Sequence, residues 1–403
     1  MFTKTAQPAL ICLLLQPWRA VITSLLLAAA LSACDSSSDS SPAPAFDPEV
    51  LATMEAMLVE RMETYGVPGA LVGLYVPGRQ DVVMAQGVSD IDTAAALGAD
   101  DHMRVGSVTK SFTVAVILQL VDEGLLSLDD PLSRFFPDIE NSDATIAELA
   151  NMRSGIYNYT EDGAFVDELV EDFLRVWMPQ EIVAVADRNA PYFAPGDGWH
   201  YSNTSTIILG MIIEQLTGNP VGVEIHQRII APLALAGTLY PTSPDIPAPF
   251  SKGYMFAGPE VGLLDITLTD PSSSAASGAM ISRLADLRAW AVALGRGTLL
   301  SEGSQRERIN SLAPIVYDPC DDSDPQRPAR VCPEYDQYGL GIGEIDGWIG
   351  HTGEGLGYTV LVMYEPASSA VMVVMMNRSG VENHTHVPTL LFREYAELLR
   401  PLL

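Results

Sequence analysis

Positive charge is what this sequence most conspicuously lacks. Its 403 residues include three lysines, Lys4, Lys110 and Lys252, and the formal net charge is −29. A chain this acidic offers no general basic surface, which excludes binding nucleic acid or an anionic membrane through bulk electrostatics. Cysteine is scarce too: of four, Cys12 and Cys34 fall in the first 34 residues. The other two, Cys320 and Cys332, lie in a Pro- and Asp-rich stretch without the nearby histidine or second cysteine pair that a zinc site needs. Neither a metal nor a cofactor is expected. The apolar run Ala20–Leu31 is twelve residues, too short for a comfortable membrane span.

That run has the length of a signal peptide's core, and Lys4 and Arg19 are the only charges before Asp35. It ends in Leu31-Ser32-Ala33-Cys34, which resembles the lipobox of a bacterial lipoprotein signal. The resemblance implies cleavage of residues 1–33 and a lipid on Cys34. Plain cleavage after Ala33, or an uncleaved anchor, would also export the protein. Residues 34–46, rich in Ser, Asp and Pro, then read as a flexible tether. The expected location is outside the cytoplasm, periplasmic or on the cell surface, with membrane attachment through the lipid. In that oxidising setting Cys320 and Cys332 are expected to form a disulfide.

Beyond the tether, Asp47 to about Tyr65 repeats Val50, Leu51, Met54, Met57, Leu58 and Met62 at helical spacing, and Gly66-Val-Pro-Gly69 stops it. Ala70–Val76 and Asp81–Gln86 read as a hairpin around Pro77-Gly78. A long helical and loop-rich stretch follows, including a buried helix over Thr206–Leu216 and another over about Arg283–Leu294. Strands return at Gln337–Gly343, Tyr358–Tyr364 and Ala370–Met376, and a helix over Val387–Leu399 closes the chain. Strands at both ends imply an α+β fold, an antiparallel sheet flanked by helices with an inserted all-helical subdomain. Its catalytic domain would span 47–403, the sheet part being about 47–112 and 275–403 and the helical subdomain about 113–274.

The chemistry is concentrated in Arg104-Val-Gly-Ser107-Val-Thr-Lys110, which opens an apolar helix. Three residues are almost one helical turn, so Ser107 and Lys110 share a face. Burial disfavours the lysine's charged form, and a neutral amine beside a hydroxyl can act as a base towards it. Alone, the pair reads equally well as a helix-capping serine with a solvated lysine. Singly, Tyr201 could be a loop aromatic, Asn203 a helix cap and His351 a surface histidine.

Together, Ser107-x-x-Lys110, Tyr201-Ser202-Asn203 and His351-Thr352-Gly353 resemble the active-site elements of the serine β-lactamase and penicillin-binding-protein superfamily. The form is that of class C β-lactamases, D-alanyl-D-alanine carboxypeptidases and related esterases. Asn151–Tyr157, Leu209-Gly210, Ser277–Ser282 and Tyr338–Gly341 extend the likeness from about residue 50 to the C-terminus. It implies an acyl-enzyme on Ser107, with Lys110 taking the hydroxyl's proton. Tyr201 would pass a proton to the leaving group, as a phenolate favoured by Lys110. Asn203 would hydrogen-bond Lys110 or the substrate amide. The backbone N–H groups of Ser107 and Glu354 would form the oxyanion hole, with Thr352 and Gly353 along its edge. Glycines 353, 355 and 357 permit close approach to a ligand.

His351 departs from the lysine usual in β-lactamases and would carry charge mainly below about pH 6.5. Glu354 stands where a small residue is usual, and an acid there would disfavour anionic substrates unless turned away. His384 and His386 match nothing in the pattern and read as surface residues. The implied substrate is a small molecule or peptide with a reactive carbonyl. D-alanyl-D-alanine carboxypeptidase or β-lactamase-related peptidase activity is expected first. An esterase of short acyl esters or lactones, or a penicillin-binding protein with little turnover, are the alternatives.

Overall fold

A computed structural model describes residues 43–258, 260–315, 334–381 and 385–403. Cys34, Cys320, Cys332 and His384, with the lipid and disulfide expectations they carry, lie outside the described residues. The chain from Ala43 onward forms one compact unit.

Helix α1 (Pro48–Tyr65) begins where the Asp47 side chain accepts the Glu49 N–H and a proline occupies the first turn. It ends at Gly66, whose φ of 57° is left-handed. Met54, Leu58 and Met62 face inward, four residues apart.

The main sheet has nine strands: β1 (Gly69–Tyr75), β2 (Val82–Asp90), β3 (Ala95–Ala96), β4 (Ala313–Pro314), β5 (Gln337–Tyr338), β6 (Gly343–Ile345), β7 (Trp348–Gly355), β8 (Tyr358–Tyr364) and β9 (Val371–Met376). Their spatial order is β3-β2-β1-β9-β8-β7-β6-β5-β4. Each described pairing is antiparallel. The first and last parts of the chain meet where β1 pairs with β9, Val72 opposite Val374.

The unbroken apolar run of β9 follows from burial on both faces. Val371, Val373 and Met375 join a core with α2 (Val108–Asp122) and α4 (Leu284–Arg296); α3 (Asn203–Thr217) belongs to the same core. Met372, Val374 and Met376 point the other way, into a core with α1 and α5 (Val387–Leu399). Helix α2 is buried along nearly its whole length. Its Phe112 stacks on Trp290 of α4 at 4.0 Å, while Trp290 Nε1 donates to Ser111 Oγ.

Two differences from the sequence reading bear on the site. Gln337–Gly343 is two short strands, not one, because Gly341 turns with φ 66° between them. The His-Thr-Gly segment, which precedes the strand Tyr358–Tyr364 as read, itself lies inside a strand, β7, that the sequence reading did not mark. Five glycines between 347 and 357 mask the strand's alternation, yet two are required by packing. A Cβ on Gly350 would lie 1.9 Å from Val362 O, and one on Gly353 2.0 Å from Val105 O. Between residues 113 and 274 the described residues form helices and loops, with two strands, Tyr254–Phe256 and Leu263–Asp265, which pair with each other, the first also flanking Arg378–Ser379.

Candidate active site

Ser107 is held by what precedes it. The Val105 N–H bonds to Met280 O, and Gly106 turns at φ 50° with its α-carbon against the Glu354 backbone. A Cβ on Gly106 would meet Glu354 O at 2.6 Å, so only glycine lets the loop and the strand edge come this close. Ser107 is then the N-cap of α2, its N–H at the positive end of a buried helix.

One turn on, Lys110 is fully buried. Its Nζ lies 2.9 Å from Ser107 Oγ, 2.6 Å from Asn203 Oδ1 and 2.9 Å from the Ser277 carbonyl. Burial holds its pKa well below the usual lysine value. A neutral amine has two hydrogens and one lone pair. The two amide oxygens can only accept, so they take the hydrogens, and the lone pair is left for the Ser107 hydroxyl.

Asn203 is locked in the orientation this needs. Its Nδ2 donates to Asn158 Oδ1 and Thr160 Oγ1, each at 3.2 Å, and its backbone N–H donates to Asn158 Oδ1 at 3.1 Å. Of the two partners expected for Asn203, the structure supplies Lys110. Asn158 is the orienting residue that the sequence reading missed; it directly follows the quoted segment ending at Tyr157.

The Tyr201 ring lies 4.8 Å from Lys110 Nζ and stands edge-on to Tyr338 at 6.1 Å. Burial raises the phenol's pKa far above its ordinary value, against the opposite pull of the Ser107 hydroxyl. The expected phenolate is therefore corrected. A lysine that burial keeps neutral supplies no cation to stabilise it, so the resting pair is phenol and amine.

The β7 edge completes the arrangement. The Thr352 N–H points away from β8 and donates to the Tyr335 hydroxyl at 2.8 Å. Antiparallel alternation turns the Glu354 N–H the same way, towards Ser107, as the oxyanion hole requires. The Gly353 α-carbon lies where a Cβ would come 3.3 Å from Ser107 N. The Glu354 carboxylate is exposed and accepts the Gly380 N–H.

His351 is not a cation in the cleft. It is 1% exposed, with Nε2 2.9 Å from Tyr338 Oη and Nδ1 3.0 Å from Tyr335 Oη. Burial pushes its pKa down to about 3. Nor is His386 a surface residue: it is 5% exposed, caps α5 and reaches the Gly353 carbonyl at 3.3 Å. Tyr338 lies in a segment the sequence reading had quoted, whereas nothing local marked Tyr335, Glu334 or His386.

This set of groups can form and break an acyl-serine: a hydroxyl with a neutral base, a phenol that can pass a proton, and two aligned N–H donors. A beta-lactamase family profile matches residues 54–394. A D-aminopeptidase of Brucella canis is 28% identical over 194 residues, 46% of this chain and 35% of that protein. The chain thus spans about a third of the length of the curated relatives it matches. Among solved structures, a D-stereospecific amidohydrolase from Streptomyces sp. is 32% identical, with TM-score 0.72 over 86% of this chain and 99% of that one. A D-amino acid amidase from Ochrobactrum anthropi SV3, complexed with L-phenylalanine amide, is 25% identical, with TM-score 0.74 over 88% and 98%.

Proposed function

The chain belongs to the beta-lactamase family of serine hydrolases, and on that premise we propose that it cleaves amides or short peptides of D-amino acids. Ser107 Oγ attacks the carbonyl carbon as its proton passes to Lys110 Nζ. The negative charge that develops on the carbonyl oxygen falls between the N–H groups of Ser107 and Glu354. Collapse breaks the C–N bond, and the leaving amine takes a proton through Tyr201. Water then cleaves the acyl-serine by the same proton path in reverse, releasing the acid.

One observation carries the choice of substrate: the edge at His351 has no cation. His351 is neutral above about pH 3, and Lys110 is spent on Ser107, Asn203 and Ser277. Among the described residues, no other lysine or arginine bonds to Ser107, Tyr201, His351, Thr352 or Glu354. A carboxylate-ended peptide or a β-lactam acid would find no bonded cation there among the described residues, whereas an uncharged carboxamide needs none. This favours an amidase over a D-alanyl-D-alanine carboxypeptidase, and it agrees with the names of the relatives. We further propose that the enzyme works outside the cytoplasm, tethered through a lipid on Cys34.

Purified protein and its Ser107→Ala variant, given D- and L-phenylalanine amide, a D-Ala-D-Ala peptide, a chromogenic cephalosporin and a nitrophenyl ester, test the reading. Ser107-dependent release of ammonia from the D-amide, ahead of the L-amide and the peptide, is expected. Faster turnover of the carboxylate-ended peptide than of the D-amide would overturn it.

A further inference from the structure

Helix α2 grips one short stretch of backbone through three side chains, and the acylation chemistry uses only one of them. Thr109 Oγ1 accepts the Met280 N–H at 3.1 Å, and Lys110 Nζ donates to the Ser277 carbonyl at 2.9 Å. The third, Thr113 Oγ1, donates to the Ala276 carbonyl at 2.8 Å.

The stretch gripped is a single helical turn, Ala275–Gly278. Four residues are too few to satisfy their own carbonyls, so Ala276 and Ser277 need donors from outside the turn. Ala275 enters it at φ 37°, a left-handed value unfavourable for a residue with a Cβ, which persists only where the surroundings impose it. Those surroundings are α2 on one side and α3 on the other. A Cβ on Gly210 of α3 would lie 2.5 Å from that of Ala276, so the turn rests directly on the α3 backbone.

Thr113 and Ala276 are both buried. Without the Thr113 hydroxyl, the Ala276 carbonyl would be a buried acceptor left unmet, and the turn would rotate to find it a donor. The oxygen that Lys110 uses is on the very next residue, so any such rotation moves it. With one hydrogen to give, Thr113 gives it to Ala276 and leaves Ser277 to the lysine.

We propose that Thr113 is a positioning residue for the base: by holding the Ala276 carbonyl it fixes the Ser277 carbonyl, which with Asn203 aims the Lys110 lone pair at Ser107. Asn203 fixes one hydrogen of the amine, and Thr113, acting through the turn, fixes the other. Two fixed hydrogens leave the lone pair a single direction. The inference deepens the reading of Ser107 and Lys110 as nucleophile and base and rests on it, whatever acyl group is cleaved.

The test follows Ser107 itself. Native protein, Thr113→Val and Thr113→Ser are labelled with a fluorophosphonate, and kcat/KM for a nitrophenyl ester is measured between about pH 4 and pH 9. Thr113→Val keeps the shape and loses the donor. Labelling and kcat/KM should both fall about tenfold or more, since an aligned base is worth about 10²–10⁴. The acid limb should also move to lower pH, because an ammonium gains more from a carbonyl than an amine does. Thr113→Ser, which retains the donor, should stay within about threefold of native with the limb in place.

Native rates in Thr113→Val overturn the proposal. A lower rate with an unmoved acid limb makes Thr113 merely structural and overturns it too, as does a Thr113→Ser protein as impaired as Thr113→Val. Should Thr113→Val not fold, Thr113→Cys, a weaker donor, takes its place and must move the limb the same way. Ser107-dependent labelling of the native protein, unaltered in Thr113→Val, sinks this inference alone. Native protein that neither labels nor turns over the ester sinks the nucleophile and base reading, and this inference with it.

Discussion

Lys110 Nζ and Asn203 Oδ1 stand 2.6 Å apart, the shortest of the three contacts that hold the amine. Because Asn158 and Thr160 fix the other end of the amide, Asn203 offers the lysine an uncharged acceptor. This is what leaves the amine neutral: a carboxylate in the same place would favour the ammonium.

Asn203→Asp should therefore convert the base into a cation. Lys110 accepts a proton only above its own pKa, so activity falls as pH drops through that value. A new carboxylate moves this acid limb upward by about 1–3 pH units. Profiles of kcat/KM against pH for both proteins check this, and an unmoved acid limb would contradict a neutral Lys110.

His351 makes a prediction about stability. Its pKa is about 3 in the folded protein and near 6.5 when unfolded. The unfolded chain therefore binds the extra proton between these values. The histidine's contribution is fully present above about pH 6.5 and is lost progressively as pH falls towards 3, by up to about 1.4 kcal/mol per pH unit. His351→Gln should flatten that slope. Urea midpoints at pH 7 and pH 5, native against variant, measure it. Equal slopes would show that His351 titrates normally.

Gly353→Ala places a methyl 2.0 Å from a backbone carbonyl, that of Val105, which cannot swing aside. Strand β7 must shift and carry the Glu354 N–H away from the oxyanion. A loss of about 10²–10³ in kcat is expected, on the scale of losing one oxyanion donor. Ester hydrolysis, which is least demanding of the leaving group, reads it out. Near-native rates would place the second donor elsewhere.

Cys34→Ala tests the anchor. With the native sequence, the protein should sediment with membranes and require detergent for release. The variant should be exported yet recovered without detergent, with its rate on soluble substrate unchanged. Release of the native protein by salt alone would refute a lipid at Cys34.

Some of this was legible because it is written locally. The α1 repeat of Met54, Leu58 and Met62, the apolar helix behind Ser107 and the run Val371–Met376 each carry their period within a few turns or residues. Helix α5 was read with its observed limits, Val387–Leu399. Strand β7 was not, since glycines needed for contact with Val105 and Val362 erase the alternation that marks a strand.

The sequence by itself determined which groups we propose for the chemistry. Ser107 and Lys110 share a helical turn, and the order of Tyr201, Asn203 and His351 points to one kind of reaction. Tertiary structure alone decided their charge states. A pKa depends on what surrounds a group: Lys110 among amide oxygens and Tyr201 beneath Tyr338 are both neutral, and His351 between two tyrosines is neutral too. It also brought Glu334 and His386 beside an edge that neither residue's sequence neighbours suggest. Contacts across hundreds of residues set those fields, and no local pattern records them.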